Sequence, residues 1–293
     1  MKKLTYLLVI AALVTLGNAP MSVAIPEVTL DASQVTSARD IESAIEFVTD
    51  YGSHPGIVTL DSSKGKFEYT GDDRSINLYY SNITLRSFNH ATIGNCDDGV
   101  FFDDFTVNNI LIEGVAFACL GGHAVYAPFL GQHHYITLRN NYFESGSYPA
   151  IDILQGDYWT ITGNRILSLS TGIYLNETGG TLIRKNFIQA NIGVVLYHSG
   201  YDNVVSNNNI TAWWQGIVLS GKTLRNKITV NKMYSIQDSG IVFTDIVAWN
   251  QVTGNQITCW PGVACTAVTA DPINYQQNKI GYGSEMRNST FTN

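Results

Sequence analysis

Basic residues are scarce in this chain: 17 Lys and Arg face 24 Asp and Glu, a formal net charge of 17 − 24 = −7. That shortage argues against a nucleic-acid partner, because phosphate contacts draw on clustered Lys and Arg. It also makes a polyanionic ligand awkward unless a cation such as Ca²⁺ bridges. Long apolar runs are missing as well. The N-terminal run Leu4–Leu16 has 13 residues, where a bilayer span needs about 20. It follows Lys2 and Lys3 and leads into "GNAPMSVA", ending in the small-x-small step Ser22-Val23-Ala24, the layout of a secretory signal peptide. Residues 1–24 are therefore expected to be removed. The product would be residues 25–293, secreted or periplasmic, with no membrane span and a balance of 15 − 24 = −9.

Cysteine is sparse too, and its four residues lack zinc spacing. In an exported chain they suggest two disulfides. Cys259 and Cys265 bracket the turn-like "WPGVA", and Cys96 and Cys119 lie 23 residues apart. The six histidines show no metal spacing, so no metal site is expected.

Helical periodicity is confined to one stretch. Ser37–Gly52 places Ile41, Ala44, Ile45 and Val48 on one face, with Asp40 and Glu42 early, where the helix dipole favours acids. Elsewhere the chain repeats. An Asn-x-apolar step recurs at Asn141, Asn164, Asn186, Asn208, Asn231, Asn255 and Asn278, at intervals of 22 to 24 residues. A second step, "GIYL" at Gly172 or "GIVL" at Gly216, recurs in phase from Gly99 to Gly240. A fixed period of this size marks a solenoid. Each unit holds three short alternating runs and no room for a long helix, which predicts a parallel β-helix with coils about 4.8 Å apart. The boundaries expected are a capping helix at 37–52, about nine coils over 57–280 and a tail at 281–293. The asparagines are expected at left-handed corners, and the glycines are expected to serve a similar backbone need. Their amides can also stack from coil to coil as a ladder. Cys96 and Cys119, one coil apart, would then lie side by side.

These features resemble the right-handed parallel β-helix superfamily, often called pectin-lyase-like, over nearly all of the mature chain. That resemblance implies the fold; its members' activities are too varied to imply one.

With the coils in register, outward columns follow. One runs Phe101, Tyr126, Asp152, Tyr174, Val195, Val218 and Val242; another includes Phe129, Gln155, Glu177 and His198. Polar and aromatic members crowd the early coils, which is the asymmetry a ligand groove would produce. "CDDGVFF" around Asp97 and Asp98 and "GGHAVYA" around His123 are similar to strand starts in polygalacturonase-type glycoside hydrolases. That resemblance implies Asp98 as acid, Asp97 as base and His123 as an orienting partner. The chain departs from the family in lacking its Asn-Thr-Asp and Arg-Ile-Lys motifs, and both aspartates also suit a plain turn before Gly99. Tyr126, Asp152, Tyr174, Glu177 and His198 are expected to bind substrate. Trp159, Trp213, Trp214 and Trp249 either extend that platform or pack at corners. The leading expectation is an exported protein that binds and possibly cleaves a polysaccharide or cell-surface glycan, as a hydrolase or lyase. The alternative is a non-catalytic surface or adhesion module. No cofactor is expected beyond Ca²⁺ for an acidic polysaccharide.

Overall fold

A computed structural model describes residues 24–69, 74–103, 106–129, 131–198, 200–245, 247–270, 278–280 and 286–287. The signal-peptide expectation and most of the tail lie outside these residues.

Alternation along each run decides the architecture. Inward residues of three strand files are fully buried: Leu85, Ile112 and Leu138 on face I, Phe117, Phe143 and Ile166 on face II, Val125, Ile151 and Ile173 on face III. Each large aliphatic side chain buried this way is worth about 1.5–3 kcal/mol, so the stacked coils form one continuous core. Every described strand pairing is parallel, from one coil to the next. Among the described residues face III carries nine strands, from Ile76–Leu78 to Thr266–Ala270, eight coil-to-coil steps in line with the about nine coils expected. Faces II and III run together as single strands at Phe187–Tyr197 and Asn209–Ser220.

The expected three-sided coil gains a fourth, minor side. Two-residue ladders join His133–His134 to Gly156–Asp157 and Thr178–Gly179, and Thr223–Leu224 to Val247–Ala248. They form because the connection from face III back to face I is long enough to pair with its copy above. Trp159 lies at its end, fully buried, and its Nε1 donates to the carbonyl of His133 at 2.9 Å.

The asparagine ladder is present, but the left-handed corner lies one residue earlier than expected. Asn140, Gly163, Lys185, Asn207, Val230 and Gly254 have φ between +55° and +68°, and the ladder asparagines follow them. Each ladder amide from Asn141 to Asn231 instead links three coils. Asn186 Nδ2 donates to the Ile161 carbonyl at 2.9 Å and to Asn208 Oδ1 at 3.0 Å, while its Oδ1 accepts the Asn164 backbone N–H at 2.9 Å. Asn278 belongs to a different ladder, Asn203–Asn226–Asn250–Asn278, which precedes face I. The two ladders share one composition and period, and only their phase within the coil separates them.

The glycines of the second step are not left-handed either. A Cβ at Gly216 would stand 2.5 Å from the Gly240 carbonyl oxygen, and one at Gly193 would stand 2.5 Å from that of Gly216. Close approach between coils is what requires glycine there.

The helix spans Ala38–Thr49 and buries Ile41, Ala44, Ile45 and Val48 against the first coil, as expected. Asp40 accepts the backbone N–H groups of Thr36 and Ser37 at 2.8 and 3.0 Å, closing the helix start. Glu42 is buried and accepts the backbone N–H and the amide of Asn77 on the first strand of face III. That contact pins the cap to the open sheet end, whose edge groups would otherwise be left unpaired. Cys96 is bonded to Cys119 and Cys259 to Cys265, with Cα separations of 4.7 and 5.6 Å.

Candidate functional site

The expected column is in register. Phe101 pairs with Tyr126, Tyr126 with Asp152, Asp152 with Tyr174 and Tyr174 with Val195. At the corner where face II turns into face III, two consecutive glycines, Gly121 and Gly122, precede His123. A Cβ at Gly122 would stand 2.6 Å from Asp98 Oδ1, so glycine lets this loop lie on the coil below. As a result Asp98 Oδ1 accepts two hydrogen bonds from His123, from its backbone N–H at 2.8 Å and from Nδ1 at 2.9 Å. The other ring nitrogen, Nε2, faces Asp152 Oδ2 at 3.2 Å. One imidazole is thus clamped between carboxylates from the coil below and the coil above.

Two tyrosine rings also pack on it. Tyr126 lies flat against it, with centroids 4.5 Å apart and planes at 12°, and Tyr148 approaches at 4.9 Å. Burial by itself disfavours a charged ring. The hydrogen bonds and charges of Asp152 and Asp98 more than reverse that, and the His123 pKa rises to about 9. At neutral pH the ring is an imidazolium, with both nitrogens donating. Burial first, and the Asp152 charge second, push the Tyr126 and Tyr174 hydroxyls above the usual phenol range. Asp152 Oδ1 is buried and makes no hydrogen bond.

Of the expected site residues, Asp98, His123, Tyr126, Asp152 and Tyr174 come together. Asp97 lies beside them, exposed at the turn. Glu177 and His198 fall at the far end of face III, facing each other at 3.6 Å and well exposed. Tyr197 links them to the column, with its ring 6.1 Å from Tyr174 and 5.7 Å from His198. Asp98 anchors the His123 ring through Oδ1, so two of the three residues expected to act together are in direct contact. One residue of the cluster, Tyr148, and one contact, that of Asp152 with the ring, lie outside the expectation. Tyr148 follows no periodic signal in the sequence; its carbonyl is held by the Ser145 and Ser168 hydroxyls, both at 2.9 Å. Asp152 was read as a sugar contact, whereas it is also the second partner of His123. Trp159 is core, while Trp213, Trp214 and Trp249 are exposed.

A groove of about 690 Å³ lies at another corner, lined by His90, Thr92, Tyr142 and Arg165 among others. No carboxylate lines it, and it lacks the acid–imidazole geometry of the His123 cluster.

A stack of parallel coils paired from one turn to the next defines a β-helix protein. Residues 129–280, more than half of the chain, match the family described as right-handed beta helix region, and the chain belongs to that family. No curated protein matches it. Among solved structures it is similar to a mutant tailspike protein of E. coli bacteriophage HK620, with a TM-score of 0.66 at 13% identity, over 82% of this chain and 51% of that one. The same phage's tailspike in complex with a pentasaccharide matches with a TM-score of 0.58 at 12% identity, over 82% and 51% of the two chains. PfbA, a surface adhesin of Streptococcus pneumoniae, matches with a TM-score of 0.46 at 13% identity, over 88% and 93%. The chain spans about half the length of the tailspike chains it matches. At these identities the likeness is one of fold alone.

Proposed function

We propose that this protein is an exported glycan-binding β-helix protein whose contact site is the corner built by Asp98, His123, Tyr126, Tyr148 and Asp152, with Tyr174 extending it. The observation that carries this reading is the clamped His123 itself. Two carboxylates and a ring fixed between them, flanked by tyrosine faces, offer hydrogen-bond groups and apolar planes in a rigid arrangement. Sugar rings present the same alternation of hydroxyls and C–H faces. Rigidity matters because less freedom is lost on binding. The two carboxylates outweigh one imidazolium, which favours a neutral glycan; an acidic polysaccharide would need a bridging Ca²⁺. The two disulfides support an oxidising compartment, secreted or periplasmic. A fold shared with a tailspike described in complex with a pentasaccharide supports a glycan ligand by analogy.

One observation favours hydrolysis as a second reading: Asp97 stands exposed next to the cluster, free of the His123 clamp. A panel of neutral and acidic polysaccharides, with and without chelator, separates the outcomes. Retention without turnover is the expected result. New reducing ends would establish a hydrolase, absorbance from a new double bond would establish a lyase, and retention lost to chelator would establish the Ca²⁺ requirement. Failure to retain any glycan would refute the proposal.

A further inference from the structure

The corner that carries His123 continues along the solenoid, and its later coils hold a second aromatic group. Trp213 and Trp214 sit in the strand Asn209–Ser220, where it passes from face II to face III, with 55% and 57% of their surface exposed. Trp260, two coils further, is 42% exposed and stacks on Trp213 with centroids 5.9 Å apart and planes at 24°. Exposed indoles in a group are uncommon on a protein with no use for them. These are also held in place. The Trp213 and Trp214 carbonyls accept the N–H groups of Gln237 and Asp238, the Trp260 N–H donates to Ile236, and the disulfide Cys259–Cys265 closes the loop that begins beside Trp260. Polar groups lie beside Trp214: Gln215 Nε2 donates to Asp238 Oδ2 at 2.8 Å, and the Asp238 N–H donates to the Trp214 carbonyl.

Register places Gln215, the residue after Trp214, in line with the first group, and Trp213 and Trp214 fill a bulge just before it. Thr171, Ile192 and Gln215 are stacked partners in the column that His123 and Pro149 begin. Three to four coils at about 4.8 Å each separate the His123 cluster from Trp214, a span of about 14–19 Å. A pyranose in an extended chain is about as long as one coil is tall.

We infer that Trp213, Trp214 and Trp260 form a distal glycan subsite, so that an oligosaccharide lies along the corner, parallel to the solenoid axis, and must have about five units to reach both groups. This rests on the reading of the His123 corner as a glycan site. Planar indoles with an amide and a carboxylate beside them suit sugar faces and hydroxyls, whereas a protein interface centre is depleted in charge.

The test is an array of neutral and acidic oligosaccharides of about three and about six units, probed with wild type, Trp213→Ala, Trp260→Ala, Asp152→Asn and Trp249→Ala. Hits are then titrated by tryptophan fluorescence, and melting curves confirm folding. The expected result is a tenfold or greater loss for the six-unit glycan in either platform variant. The same variants should bind the three-unit glycan at the His123 corner normally, and Trp249→Ala should behave as wild type. Trp213→Tyr should recover most of the loss. If Asp152→Asn loses binding while both platform variants keep it, the subsite is refuted and the His123 reading stands. If the platform variants lose binding and Asp152→Asn does not, the indoles bind glycan and the His123 reading falls. An array silent for wild type, with a mass in solution that drops to monomer in Trp213→Ala, would make the platform a protein interface and overturn the inference.

Discussion

Raising the pH tests the His123 clamp without touching a side chain. A histidine in the unfolded chain titrates near 6.5, and His123 in the folded protein titrates at about 9. Below pH 6.5 the ring is charged in both states, so the clamp contributes in full. Between 6.5 and 9 the unfolded ring loses its proton while the folded one keeps it, and the contribution falls steadily; above 9 it is gone. The gross difference is roughly 3 kcal/mol at about 1.4 kcal/mol for each pH unit. Solvent reaches the Asp98 side of the pair, 23% exposed, and reduces the usable part to about 1–2 kcal/mol. For a chain of this length that is about 2–6 °C in melting temperature. The assay compares wild type with His123→Gln from pH 6 to pH 10. The gap should be widest near pH 6 and close by pH 10. A gap independent of pH, or one that widens as pH rises, would refute the account of a charge held between two acids.

Asn186→Ala should destabilise by about 2–4 kcal/mol, because it strands the Asn164 N–H and the Ile161 carbonyl inside the core; chemical denaturation against Asn191→Ala, an exposed neighbour, measures it. Gly216→Ala should cost more than Gly254→Ala, since only the former aims a Cβ at a carbonyl 2.5 Å away; a smaller loss at Gly216 in melting experiments would contradict the close-approach argument. Serine at both Cys96 and Cys119 should lower stability by about 3 kcal/mol and the Cys259–Cys265 pair by about 2, from the loop each closes; reductant titrations followed by circular dichroism should show the same order.

Much of this was legible in the sequence because a period fixes neighbours. Once Ala124, Ala150 and Gly172 are aligned, Tyr126, Asp152 and Tyr174 must share a column, and they do. What the period could not carry was phase within a coil. The left-handed residue sits one position before each ladder asparagine, and Asn278 belongs to the other ladder, because both corners use the same residue type. The fourth side was hidden because a two-residue ladder leaves no alternation to detect. Asp152 as a partner of His123 was hidden for another reason. Local motifs join residues within one coil, as "DD" and "GGH" do, while the His123 ring reaches the coil above it, a contact that follows from the ring's orientation. Tyr148 lies in a loop, where side-chain direction has no period.

The central claim is that the His123 corner binds a glycan. The most direct measurement is calorimetric titration, near pH 7.5, of the glycan best retained from the panel, into wild type and into Asp152→Asn with its melting temperature checked. The account predicts binding by the wild type and at least tenfold weaker binding by the variant. Equal affinity in the two proteins would contradict it.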